Sequence, residues 1–215
     1  MKFRNKLLKL VKEKLSKDNT GHSMCHHLRT EKYALTIAKN DKNIDKDVLS
    51  AAALIHDVGR IDEFRGIDHV ETGVKFAKQW LPKIGFPKEK IPKVIEAVAM
   101  HEQRHHHINK KPIKYKETLI IQDADSLDFV GAIGIARGFQ FAGAHNLPLY
   151  DPKYNVKQAD SYKPLMKTMS ELHIIKKMLV KNNFNTKTAE KLAKKRRIFV
   201  KNFINQFINE WESKA

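Results

Sequence analysis

Apolar residues recur at three- and four-residue steps along almost the whole chain, the period of a helix with one buried face. Residues 3–15 put Phe3, Leu7, Leu8, Leu10, Val11 and Leu15 on one side and lysines on the other. A second helix is predicted over 24–40, carrying His26, Arg29, Tyr33 and Ile37. A third starts behind Asp45, whose carboxylate suits an N-cap. It runs through the alanines at 51–53 to His56-Asp57 and stops at Gly59, read as a C-cap. Further helices are predicted over 67–81, 92–104, 116–130 and 162–181, with a Pro- and Gly-containing loop between Pro82 and Pro92. The last stripe, behind Asn185 or Thr186, joins Ala189, Leu192, Phe199, Val200, Phe203, Ile204, Phe207 and Trp211. No strand alternation or internal repeat is visible, so the fold class is all-α.

Residues 131–160 interrupt this pattern with four glycines and two prolines. Ile133 to Phe141 can be helical, and the rest reads as an irregular excursion suited to a lid. With 215 residues, 41% of them hydrophobic, one well-buried domain over 1–215 is expected: a core at about 20–130 and a C-terminal helical extension at about 160–213.

Charge and cysteine content narrow the setting. Forty-one Lys and Arg face 24 Asp and Glu, a formal charge of +17. The lysines are spread evenly, apart from Lys194-Lys195-Arg196-Arg197, which favours a solvated surface over a nucleic-acid stripe. Nucleic acid is therefore a partner the charge allows without favouring it. Cys25 is the single cysteine, which fits a reducing, cytoplasmic compartment. The basic N-terminal residues lack a secretory h-region, and no apolar run is long enough to span a bilayer, so no membrane partner is expected.

The candidate chemistry lies in three separated segments. His56-Asp57 closes the alanine-rich helix, His26 sits upstream in His22-x3-His26-x2-Arg29, and Asp123-Ala-Asp125-Ser-Leu-Asp128 lies downstream. Two imidazoles and two carboxylates form a donor set for one divalent cation: manganese first, with iron, nickel, cobalt, zinc and magnesium as further candidates. Asp123 and Asp125 point about 200° apart on a helix, so only one can reach the ion. Asp128 shares the face of Asp125. A rival motif, His101-Glu102-Gln103-Arg104-His105, spells the zinc-peptidase signature. It is set aside because a polar, His-rich tract follows at once and no third ligand is evident.

His26, His56-Asp57 and Asp125 resemble the H…HD…D pattern of the HD-domain metal-dependent phosphohydrolases, an all-α superfamily. The segments 123–137 and Asn146 to Pro152, and the last helix from Thr188 into Trp211, resemble its bacterial nucleotide pyrophosphohydrolase-like branch. The likeness covers roughly residues 20 to 212. It implies a metal held by His26, His56, Asp57 and Asp125, with Asp123 as the fallback for the last position. It implies catalytic roles for Asp57, Arg60 and Asp128, with Asp128 or Glu63 orienting water. Arg29, Arg60, His69 and His101 are expected to bind substrate or phosphate; in other HD subfamilies the extra histidines hold a second metal. The expected reaction releases pyrophosphate from a nucleoside triphosphate through metal-activated water. Alternatives are another phosphoester (a nucleoside monophosphate, cyclic dinucleotide or guanosine alarmone) and a non-catalytic, nucleic-acid-binding protein with a relict site. Oligomeric state is open, a homodimer included.

Overall fold

A computed structural model describes residues 2–102, 112–153, 172, 175 and 184–214. The described residues are helical and contain no strand. They gather into two compact units, Met1–Asp125 and Ser126–Ala215, a division that the apolar pattern does not announce.

The first unit holds α1 (Lys2–Lys14), α2 (Met24–Ile37), α3 (Lys46–Ile55), α4 (His69–Lys83), α5 (Ile91–Met100) and most of α6 (Lys116–Phe129). Single 3-10 turns span Arg60–Arg65 and Lys88–Lys90. Helix α3 is central. Every residue from Val48 to Val58 is buried, and its alanines let neighbouring backbones approach closely. Asp45 caps α3 by accepting from the backbone N–H groups of Asp47 and Val48. Asp68 does the same for α4, from Val70 and Glu71. The predicted loop begins two residues later than Pro82, which lies inside the last turn of α4.

Two buried glutamates fasten the helices around α3. Glu31 on α2 receives a two-pronged bond from Arg4, Nε at 2.7 Å and Nη2 at 2.6 Å, and also accepts from Ser50 Oγ on α3. Glu117 on α6 accepts from the Asp45 N–H at 3.1 Å and from Lys93 Nζ at 3.3 Å. Half-way along α5, Glu96 accepts from the N–H groups of Lys114 and Tyr115 and from Thr118 Oγ1. Gln122 donates to Met100 O at 2.8 Å. These bonds fix the register of α6 against α3 and α5, and with it the place of Asp125.

Gly59 is not the left-handed C-cap that the sequence suggests. Its φ of −85° is ordinary. A Cβ at this position would sit 2.4 Å from His69 O and 2.7 Å from His69 Cα. Glycine is needed here for space, so that the start of α4 can close on the turn after His56-Asp57.

The second unit contains α7 (Ala132–Ala144) and α8 (Lys187–Trp211). The helical part of the expected excursion is longer than Ile133 to Phe141; its segment 154–160 and most of 162–181 lie outside the described residues. Ile135, Leu172, Ile175, Val200 and Ile204 form this unit's core, with Phe139, Phe203 and Phe207 packed on it. The stripe on α8 runs through Ala189, Ala193, Val200 and Ile204. Phe199 is about half exposed because it lies off the stripe when turned by 100° per residue, and Trp211, on the stripe, is about half exposed as the last residue of the helix. Trp211 stacks on Phe207 and meets Tyr150 edge-on. Arg196 donates to Leu127 O at 2.9 Å and lays its stem against Gly131. No described helix is long and apolar enough to cross a membrane.

Candidate metal centre

Helices α3 and α5 end in the same way. His56 follows α3 and turns its ring so that Nδ1 donates to Ala53 O at 2.8 Å. His101 follows α5, and its Nδ1 donates to Val98 O at 2.7 Å. A neutral imidazole has one N–H, so each bond fixes the tautomer and leaves Nε2 as an acceptor. Helix α5 ends at Met100, short of the predicted 104.

The freed Nε2 of His56 points at the first candidate centre. It lies 3.0 Å from His26 Nε2, and Thr30 Oγ1 stands 3.5 Å from the other nitrogen of His26. Asp57 Oδ2 is 3.5 Å from His26 Nε2 and 3.6 Å from His56 Nε2. Asp125 Oδ1 is 3.6 Å from each. All four donor atoms fall within 4.8 Å of one another. Bonds of about 2.0–2.2 Å to a central ion separate neighbouring donors by roughly 3.0–3.6 Å. The observed spacings meet that requirement, and the hard–borderline O and N donors suit a divalent cation. Asp125, rather than Asp123, belongs to the cluster. Three of the four side chains are sealed from solvent, and Asp125 is the most accessible, at 18%.

Charge is concentrated accordingly. Burial pushes the Asp57 carboxyl up, but the Arg60 charge, His56 and the contacts with His101 and His26 more than offset it and hold it well below the usual range. For Asp125, burial is likewise overcome, here by His56, and the carboxyl is held low. The same carboxylates raise His56 above 6.5 against the pull of burial. Two fixed negative charges facing two imidazole nitrogens form a receptor for a dication.

Arg29 is half-buried on α2, one turn beyond His26. Arg60 is buried, and its guanidinium is held by carboxylates: Nε lies 3.3 Å from Asp57 Oδ1, Nη1 3.1 Å from Glu63, and Nη2 bonds Glu102. His69 is buried beside it, with Nδ1 donating to Glu63 Oε1 at 2.5 Å. His101 Nε2 is 3.2 Å from Asp57 Oδ1. Asp57, His69 and His101 thus form a second group of converging donors. Asp128 belongs to the second unit, where it is buried and paired with Arg137 at 2.9 Å. His105 of the zinc-peptidase signature lies outside the described residues.

Three residues near the centre escaped sequence reasoning. His22 Nε2 is 3.8 Å from Asp57 Oδ2, and its ring meets His26 edge-on. It was visible as the first residue of His-x3-His. Glu102 stands out in the sequence only within the peptidase signature. His27 is wholly buried between His26 and His56, with ring centroids 5.3 and 5.0 Å away. Burial, then repulsion from His56 and His26, holds it well below 6.5 and therefore neutral.

Fold and centre together define a class. The HD domain model matches residues 24–130, which contain both donor groups. The chain belongs to the HD-domain superfamily of metal-dependent phosphohydrolases. Among relatives, Bacillus subtilis YpgQ is 31% identical over 198 residues, 91% of this chain and 87% of its own length. The crystal structure of YpgQ in complex with ADP matches with a TM-score of 0.70, at 26% identity over 96% of this chain and 97% of that one. A Bacillus thuringiensis HD-superfamily hydrolase matches with a TM-score of 0.68, at 29% identity over 97% and 96% of the two chains. A Lactobacillus plantarum protein of the same fold reaches 0.78 at 23% identity, over 98% and 97%.

Proposed function

We propose that this phosphohydrolase acts on nucleoside triphosphates with manganese as its working ion. Water adds at the α-phosphorus, the bond to the bridging α–β oxygen breaks, and a nucleoside monophosphate and pyrophosphate leave. The observation that carries the reading is the convergence of His26, His56, Asp57 and Asp125. The nucleotide is supported by the likeness to YpgQ, which binds ADP in its crystal.

In this reading those four residues hold the ion, and the ion, when bound, supplies Lewis acidity toward a phosphate oxygen and water. The protein's own groups do the rest. The Nδ1 bond of His56 to Ala53 O keeps Nε2 available as a donor. Arg29 and His22 are assigned to the substrate's phosphates, being less buried than the residues behind them. Arg60 acts through Asp57, since its guanidinium is already shared among carboxylates. Asp128 and its partner Arg137 support the end of α6.

The test is a panel of nucleoside mono-, di- and triphosphates with manganese, cobalt, nickel or magnesium, with phosphate products separated by ion chromatography. Pyrophosphate from triphosphates is the expected product. Release of orthophosphate alone would reassign the reaction to another phosphoester, and no turnover with any ion would refute the reading.

A further inference from the structure

Asp57 is a two-sided carboxylate. Its Oδ2 faces His26 and His56 at 3.5 and 3.6 Å. Its Oδ1 faces a different set: His101 Nε2 at 3.2 Å, Arg60 Nε at 3.3 Å and His69 Nε2 at 3.7 Å. On this second side both imidazoles present acceptors, because each spends its N–H elsewhere. His101 Nδ1 donates to Val98 O and His69 Nδ1 to Glu63. His69 Nε2 is buried without a hydrogen bond and lies 3.4 Å from Glu102 Oε2. Lone pairs and carboxylates that converge out of water require positive charge among them. Among the described residues, the cation that meets them is the Arg60 guanidinium, 6% exposed and paired with Asp57, Glu63 and Glu102. A guanidinium satisfies carboxylate oxygens through its fork of N–H groups. The orphaned nitrogen of His69 shows that it leaves part of the nitrogen set unused.

We propose that Arg60 is a built-in substitute for a second divalent ion. The wild-type chain then takes one ion, at His26, His56, Asp57 and Asp125. Removing the guanidinium opens a second site at Asp57 Oδ1, His69 and His101, with Glu102 beside it. The inference rests on the one-ion reading above and deepens it: Arg60 is a positioning residue that gives Asp57 a permanent positive neighbour.

The test is equilibrium dialysis of the full chain against manganese, with bound metal counted by atomic absorption and examined by electron paramagnetic resonance. Wild type is expected to bind one manganese per chain, with the spectrum of an isolated ion. Arg60→Met is expected to bind two, coupled through the Asp57 bridge, and Arg60→Met with His69→Gln to return to one. Arg60→Lys, which keeps a charge, stays at one. Two ions in wild type, or one in folded Arg60→Met, overturns the proposal. Should Arg60→Met not fold, His69→Gln in the wild-type background decides: it is expected to keep one ion with affinity changed less than about twofold, and loss of a bound ion overturns the proposal. Single-ion binding without nucleotide hydrolysis would sink the function proposed above and leave this inference standing.

Discussion

Gly59→Ala tests whether the turn after His56-Asp57 is set by close packing. The backbone there is right-handed, so alanine meets no conformational barrier. It would even gain about 0.4–1 kcal/mol by restricting the unfolded chain. Space decides otherwise. The new methyl would lie 2.4 Å from His69 O, 2.7 Å from His69 Cα and 2.8 Å from Thr72 Cβ. Carbon atoms settle at about 3.5–4.0 Å, so the first turn of α4 must retreat by roughly 1 Å. Two of the three contacts are backbone, and no side-chain rotation relieves them. Overpacking of this kind costs about 1–3 kcal/mol, and the rigid neighbours put this case near the top of that range. The net expectation is destabilisation by about 2 kcal/mol, read from urea midpoints at constant slope. Because His69 moves, its bond to Glu63 loosens and metal-dependent hydrolysis should fall as well. Gly66→Ala is the contrast. Its φ is +73°, with nothing within 4 Å. It should cost about 1–2 kcal/mol from backbone strain alone and leave hydrolysis per folded molecule unchanged. A Gly59→Ala protein within about 0.5 kcal/mol of wild type would refute the packing argument.

Asp57→Ala should abolish turnover, with manganese binding lost in dialysis and the helical circular dichroism retained; an active, metal-independent variant would sink the mechanism. Stability of the metal-free protein should peak near pH 6.5 in urea titrations. His56 is raised, so its contribution is complete below 6.5 and fades as pH climbs through its folded value; His27 and His69 are lowered, so theirs is present above 6.5 and fades on acidification. Manganese affinity should instead rise with pH across the window above 6.5, because the ion competes with a proton on His56; affinity independent of pH from about 6 to 8 would contradict this. His27→Leu removes a buried imidazole that resists protonation, so the variant should gain stability over wild type as pH falls from about 7 to 5.5 in urea titrations; a difference that does not change with pH would contradict this.

Local physics made much of this protein legible in one dimension. Helical periodicity located α1 to α6 and α8 because each hides one face, and Asp45 announced the start of α3 because a cap acts within three residues. His56-Asp57 marked the candidate centre because a carboxylate at the end of an apolar helix needs a cation. The edges of α8 were less legible: Phe199 follows the stripe in sequence and leaves it in space.

What tertiary structure alone decided concerns groups distant along the chain. Asp123 and Asp125 are equal in sequence, and α6 chooses between them only once Glu96, Gln122 and Glu117 lock its rotation. Gly59 looks like a cap until α4 is seen to press on it. Arg60 reads as a residue waiting for phosphate, yet Glu102, 42 positions away, closes a carboxylate cage around it. Periodicity and capping are short-range and survive in the letters. The direction of a side chain, and which charges meet out of water, depend on packing between helices, which no local pattern encodes.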